Sequence, residues 1–181
     1  MKLPINRRSF LKLGLFAPAL PLPAFAGQTL AAGERRLSLH NLHTGEQVDR
    51  PYWIEGDYVA ESLADINRVL RDHRTGQVAA IDPRLLDLLH RVGTAVGAAQ
   101  PFEIISGYRS PASNQMLVEN TTGVARRSLH TEGKAVDLRI PGIPLADLRR
   151  AGLLLQGGGV GYYPKSSFVH LDVGRVRAWG A

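Results

Sequence analysis

The chain has 181 residues with 22 Lys and Arg against 16 Asp and Glu, a formal charge of +6, and no cysteine. Without cysteine there can be neither disulfides nor lipid attachment through an N-terminal cysteine. Residues 1–26 carry Lys2, Arg7, Arg8 and Lys12 and no acid, so the charge of the remainder falls to +2. That remainder holds no Lys/Arg stripe with interleaved aromatics, and a nucleic-acid partner is not expected.

The N-terminus runs Asn6-Arg7-Arg8-Ser9-Phe10-Leu11-Lys12, continues through an apolar stretch and ends Ala24-Phe25-Ala26 before Gly27. A charged start, an apolar middle and a small-x-small exit read as a cleaved signal, and the paired arginines mark export by the twin-arginine route to the periplasm. Lys12, Pro18, Pro21 and Pro23 break a stretch too short to span a bilayer, so no stable membrane insertion is expected after cleavage. Residues 27–36 read as a tether and 37–181 as one domain, expected to be a monomer. About 155 residues suffice for one core but not for two.

Leu37 to His40 begins an alternation that resumes over Gln47 to Ile54, with turn chemistry at His43-Thr44-Gly45-Glu46, which predicts a hairpin. Asp57 is placed to cap a helix with Val59, Leu63, Ile66 and Leu70 on one face. Asp82 followed by Pro83 caps a second helix, whose buried stripe is Leu85, Leu86, Leu89 and Val92. Phe102 to Ile105 reads as a strand ending in Ser106-Gly107-Tyr108-Arg109, and Ser110-Pro111 opens a third helix toward Val118. A strand follows at Ala135 to Ile140, then a helix from Pro144 to Leu155, then strands at Val160 to Tyr163, Phe168 to Val173 and Arg175 to Trp179. The order implies an α+β fold: one domain with a mainly antiparallel sheet and helices packed on it.

The chemistry concentrates in two segments, Ser128-Leu129-His130-Thr131-Glu132-Gly133-Lys134-Ala135-Val136-Asp137 and Phe168-Val169-His170-Leu171-Asp172. In a strand, Ala135, Asp137 and Arg139 share one face, while Val136, Leu138 and Ile140 share the other. The same alternation groups Phe168, His170 and Asp172 opposite Val169, Leu171 and Val173. Both polar faces are thus expected to point away from the core. If the two strands are neighbours, Asp137 and His170 enter one cleft, and Gly133 lets the preceding turn bring His130 above them. Two imidazoles and one carboxylate form a ligand set that suits one zinc ion and leaves a position open for water. His40, His43, His73 and His90 are given no role. Gly157-Gly158-Gly159-Val160-Gly161 is not a nucleotide loop, because a helix precedes it and aromatics follow; a tight turn into an exposed strand is expected.

Ser106-Gly107-Tyr108-Arg109-Ser110, Ser128-Leu129-His130 with Gly133, Ala135 and Asp137, Gly158 to Pro164, and Phe168 to Asp172 with Gly174, Val176, Arg177 and Trp179 resemble the murein endopeptidase K family. That family belongs to the superfamily of zinc D,D-carboxypeptidases, lysostaphin-type and Hedgehog-like domains. The resemblance spans roughly residues 37 to 179. It implies a zinc peptidase that cuts peptide crosslinks between peptidoglycan stems, mainly 3-3 diaminopimelate links and secondarily 4-3 links, with His130, Asp137 and His170 as ligands. A departure accompanies it. The carboxypeptidase branch carries a glutamate base three residues before the last histidine, where Ser167 stands, and the lysostaphin branch a histidine two before, where Phe168 stands.

Asp172 is therefore the candidate base, with support of a histidine ligand as its other role; Glu132 and Glu119 are outsiders. Arg109 is the candidate oxyanion donor or clamp for a substrate carboxylate. Ser106, Tyr108, Gln115, Tyr162 and Tyr163 are candidate contacts to the peptide stem. Two alternatives to an endopeptidase stay open: a catalytically silent peptidoglycan-binding domain that retains zinc, and a D,D- or L,D-carboxypeptidase.

Overall fold

A computed structural model describes residues 33–121 and 125–180. The signal segment and most of the tether lie outside the described residues. Eight strands form one sheet in the order β3-β2-β1-β4-β5-β7-β6-β8. β1 (Glu34–Asn41) and β2 (Gln47–Ile54) make the expected hairpin, closed by Asn41, whose side chain accepts from the backbone N–H of His43 and Thr44. β1 begins at Glu34, inside the segment read as tether. All strand pairs are antiparallel except β1 with β4 (Phe102–Ser106) and β6 (Gly159–Tyr163) with β8 (Arg177–Trp179).

Asp57 does not cap a helix. It lies with Tyr58 in the two-residue strand β3 (Asp57–Tyr58), paired to Ile54, and α1 (Ala60–Val69) starts after Val59 without a side-chain cap. Glu55 and Gly56 both take positive φ, closing a tight hairpin that competes successfully with helix initiation. α2 (Pro83–Val96) begins as expected: Asp82 accepts from the Arg84 N–H, Pro83 occupies the first turn, and Gly97 ends the helix in the left-handed conformation. α3 (Pro111–Asn120) is capped by Ser110 in the same manner.

Ile104 pairs with Leu138 of β5 (Ala135–Arg139), Leu138 with Val169 of β7 (Phe168–Asp172), and Val169 with Tyr162 of β6. These residues therefore share one face of the sheet. α2 covers it where the Phe102 ring reaches Gly93, and α4 (Leu145–Leu155) covers it where Gly152 meets Leu171 and Val160. Leu85, Leu86, Leu89, Ile104, Leu138, Leu148 and Leu171 are completely buried in this layer. Fully burying each such side chain is worth about 1.5–3 kcal/mol. One side of the central strands is thus committed to the core, and their opposite side is left for polar groups. No helix among the described residues is long and apolar enough to cross a membrane.

Candidate metal centre

β5 and β7 are hydrogen-bonded neighbours in a register that sets Asp137 directly opposite His170 and Ala135 opposite Asp172. Ser106 of β4 lies beside Asp137 on the other flank, after a register shift in β4. His130 comes from a short 3-10 helix, Leu129–Glu132, capped by Ser128 and ended by Gly133 at φ +65°. A Cβ on Gly133 would stand 2.2 Å from the Ala80 carbonyl oxygen, so only glycine lets this turn dock against the loop before α2. The Gly133 carbonyl accepts from the Asp82 N–H, and the His130 carbonyl accepts from the Arg109 N–H. Folding of these loops onto each other is what carries His130 to the sheet.

Each imidazole has an acceptor outside the cluster to which one ring nitrogen can donate. Nδ1 of His130 lies 2.7 Å from the Gly107 carbonyl oxygen, which can only accept, so Nδ1 carries the proton and Nε2 is bare. Nε2 of His170 lies 3.1 Å from Oδ2 of Asp172 and Nδ1 2.8 Å from Oδ1 of Asp137; a cation at the cluster requires Nε2 to donate to Asp172 and leaves Nδ1 to face the cation. Nε2 of His130 and Nδ1 of His170 are 3.2 Å apart, and Oδ1 of Asp137 lies 3.3 Å from the first and 2.8 Å from the second. Ligands about 2.0–2.1 Å from a tetrahedral ion stand about 3.3–3.4 Å from one another. Three acceptors this close repel one another unless a cation stands between them, so this donor set fits a divalent metal. Among the described residues it is the one group of three such side chains so arranged.

Titration behaviour follows the same geometry. Burial works against ionisation of Asp137, but the charges and hydrogen bonds of His130 and His170 outweigh it and hold the carboxyl well below the usual range. Burial also opposes a charge on His170, yet Asp137 and Asp172 together raise its pKa. With no cation between the ligands, a proton is drawn to the place a cation would take.

Asp172 is completely buried and saturated with donors. Oδ1 accepts from Gly159 N–H at 3.0 Å, Gly174 N–H at 2.8 Å and Arg177 Nη1 at 3.0 Å; Oδ2 accepts from Arg177 Nη2 at 2.7 Å and from His170. It sits behind the imidazole, on the side away from Asp137 and His130. Arg109 is mostly buried, with Nη2 3.9 Å from Oδ2 of Asp137 and 3.5 Å from the Ser106 hydroxyl; its Nε has no partner. Burial lowers its pKa and Asp137 opposes the shift.

The remaining expected contacts divide. Tyr163 lies on the metal face, where it pairs with Phe168, stacks on that ring and accepts from the Trp179 Nε1–H at 2.7 Å. Tyr162 points to the opposite face beside Val169, with the Arg149 guanidinium over its ring, and so stands away from the ligands. Tyr108 is buried in the hydrophobic core. Gln115 is exposed on α3 and donates to Glu119 one turn on. Glu132 is exposed and paired to Lys134. Ser167 is exposed at φ +57°.

The expected exposed strand after the glycine run is instead interior: Gly159, Val160 and Gly161 are buried between β7 and β8. Arg177 and Trp179, which the sequence marked only as part of the resemblance and without a role, cross over this strand; the Trp179 ring lies 5.1 Å from that of His170. The signal was present as alternate glycines, because a Cβ at Gly161 would stand 2.7 Å from the Trp179 indole. His43 and His73 stack at 3.8 Å, a contact between two loops that spacing alone does not reveal.

An α+β domain whose central strands and one loop converge two imidazoles and a carboxylate, with an arginine beside them, defines the class of metal-binding hydrolytic centres. The family model described as peptidoglycan L,D-endopeptidase MepK matches residues 29–179, and the chain belongs to that peptidase family. It is 45% identical over 182 residues to the peptidoglycan L,D-endopeptidase MepK of Escherichia coli K12, covering 98% of this chain and 99% of that protein. The MepK of Shigella flexneri is similar to the same extent, and a probable peptidoglycan L,D-endopeptidase MepK of Haemophilus influenzae is 36% identical, covering 96% of this chain and 95% of its own. No solved structure matches the chain.

Proposed function

We propose that the chain is a zinc-dependent peptidoglycan endopeptidase, exported through the twin-arginine route and working as a monomer in the periplasm. The observation that carries this reading is the meeting of three potential ligand atoms at one point beside a buried arginine. Membership of the MepK family supports peptidoglycan peptides as the substrate, and within this proposal 3-3 diaminopimelate links come first and 4-3 links second. His130, Asp137 and His170 would hold the zinc ion, which when bound would supply a Lewis acid for activating water and polarising a peptide carbonyl.

The chain's own residues do the rest. Arg109 keeps its charge, and its Nη2, 3.5 Å from the Ser106 hydroxyl and 3.9 Å from Asp137, is weakly engaged and leaves a donor for a developing oxyanion or a substrate carboxylate. Ser106 stands beside Asp137 and can accept from or donate to the same peptide. Tyr163, Phe168 and Trp179 form an aromatic wall next to His170, against which a peptide stem can lie. Asp172 has no lone pair facing the ligand cluster, which favours the supporting role over that of proton acceptor.

The saturation of Asp172, together with the exposed Ser167, favours a second reading in which the domain binds peptidoglycan without cutting it. Muropeptide dimers of defined 3-3 and 4-3 linkage, incubated with the protein with and without a chelator and followed by mass, separate the two. Conversion to monomers that a chelator stops is the expected result. Intact dimers with a full zinc equivalent bound would establish the silent domain, and loss of a single residue would establish a carboxypeptidase.

A further inference from the structure

β8 sends two side chains across β6 onto the metal face, and β6 is cleared for both. Gly159 and Gly161 are the β6 residues on that face before Tyr163. A Cβ at Gly159 would stand 2.4 Å from Oδ2 of Asp172 and 2.5 Å from Nη1 of Arg177, and a Cβ at Gly174 3.1 Å from Oδ1 of Asp172. The space Gly159 leaves is filled by the two-point pairing of the Arg177 guanidinium with the Asp172 carboxylate, while Leu129 shares the space at Gly174. The guanidinium is braced in turn by the Arg175 carbonyl at 3.0 Å and by the Trp179 ring at 4.7 Å.

We propose that Arg177 is a positioning residue for the metal centre: its fork fixes the plane of Asp172, and Asp172 fixes the orientation and tautomer of His170. The inference rests on the metallopeptidase reading above. Two parallel N–H···O bonds prevent a carboxylate from turning about its Cβ–Cγ bond, whereas a point charge on a flexible stem does not. With the plane held, Oδ2 faces Nε2 of His170 and Nδ1 faces Asp137 and His130. Oδ1 has two backbone donors as well, but Oδ2 has only Arg177 and His170, so Oδ2 depends on the fork for its place.

Arg177→Gln and Arg177→Lys test it, the second retaining the charge without the fork. Zinc affinity of the purified protein is read by competition with a chromogenic chelator. The His170 tautomer is read in the metal-free protein from imidazole 15N shifts at a pH alkaline enough to leave the imidazole neutral, and the folded state from metal-free melting. Both variants are expected to bind zinc more weakly, by up to the about 10–100-fold that losing the outer partner Asp172 itself would cost. Both are also expected to lose the pure Nε2–H signature, and guanidinium ion at millimolar concentration should restore part of the affinity to Arg177→Gln. Lower melting with zinc affinity and tautomer as in the parent protein would show a merely structural arginine and overturn the proposal. Failure of the parent itself to take up zinc would overturn the metallopeptidase reading, while the 15N tautomer would still decide the role of Arg177.

Discussion

His170 and Asp172 stand two apart on β7 and share a face, yet the imidazole separates their environments: Nδ1 looks into the ligand cluster and Nε2 looks back to Asp172. Asp172→Asn is accordingly expected to weaken zinc binding by about 10–100-fold while leaving most of the turnover at saturating zinc. Chelator competition and kcat measured on the same preparation check this; a kcat collapse with zinc fully bound would return Asp172 to the role of base. Arg109→Ala should do the reverse, keeping the metal and costing about 100–1,000-fold in kcat, as loss of a developing-charge donor does. The raised pKa of His170 fixes the sign of the pH effect. A proton on Nδ1 competes with the cation, so zinc affinity falls as pH drops through that raised value, which titration of the zinc dissociation constant against pH will show.

At the scale of elements, the informative residues are those where the backbone needs room. Gly133 combines φ +65° with a Cβ position 2.2 Å from the Ala80 oxygen, and backbone cannot yield as a side-chain tip can. Gly133→Ala is expected to cost about 1–3 kcal/mol in a urea titration and to lower zinc affinity, since it displaces the turn that presents His130. The stacked loops bearing His43 and His73 give a second prediction. Burial, then His43 and Arg74, lower the pKa of His73 from 6.5 to about 4. The unfolded chain therefore binds this proton before the folded one does, and stability declines as pH falls from about 6.5 to about 4. His73→Gln should flatten the stability profile in that window, as measured by chemical denaturation at a series of pH values. The capped helices α2 and α3 were legible because Asp82-Pro83 and Ser110-Pro111 act locally. Asp57 misled because the same polar residue suits a helix cap and a tight hairpin, and the pairing of Ile54 with Asp57 decided between them.

In the whole molecule, the ligands come from three places that only the tertiary fold joins: the turn at His130, β5 and β7. A cation held there would bind the folded chain and not the unfolded one, and is expected to add stability by mass action, about 4 kcal/mol at free zinc 1,000-fold above the dissociation constant. Chelation is expected to lower the melting temperature by several degrees in the parent protein and to leave His130→Ala unchanged. The sequence by itself determined the α+β order of elements, the apolar face of each central strand and the identity of His130, Asp137 and His170 as a set, because period-two alternation and ligand chemistry are local properties. Tertiary structure decided which nitrogen of each histidine faces the cluster, that Tyr108 and Tyr162 turn into or along the core side, and that Arg177 and Trp179 reach the site across Gly159 and Gly161. Those outcomes depend on strand order and register between segments far apart in the chain, and no local pattern encodes them.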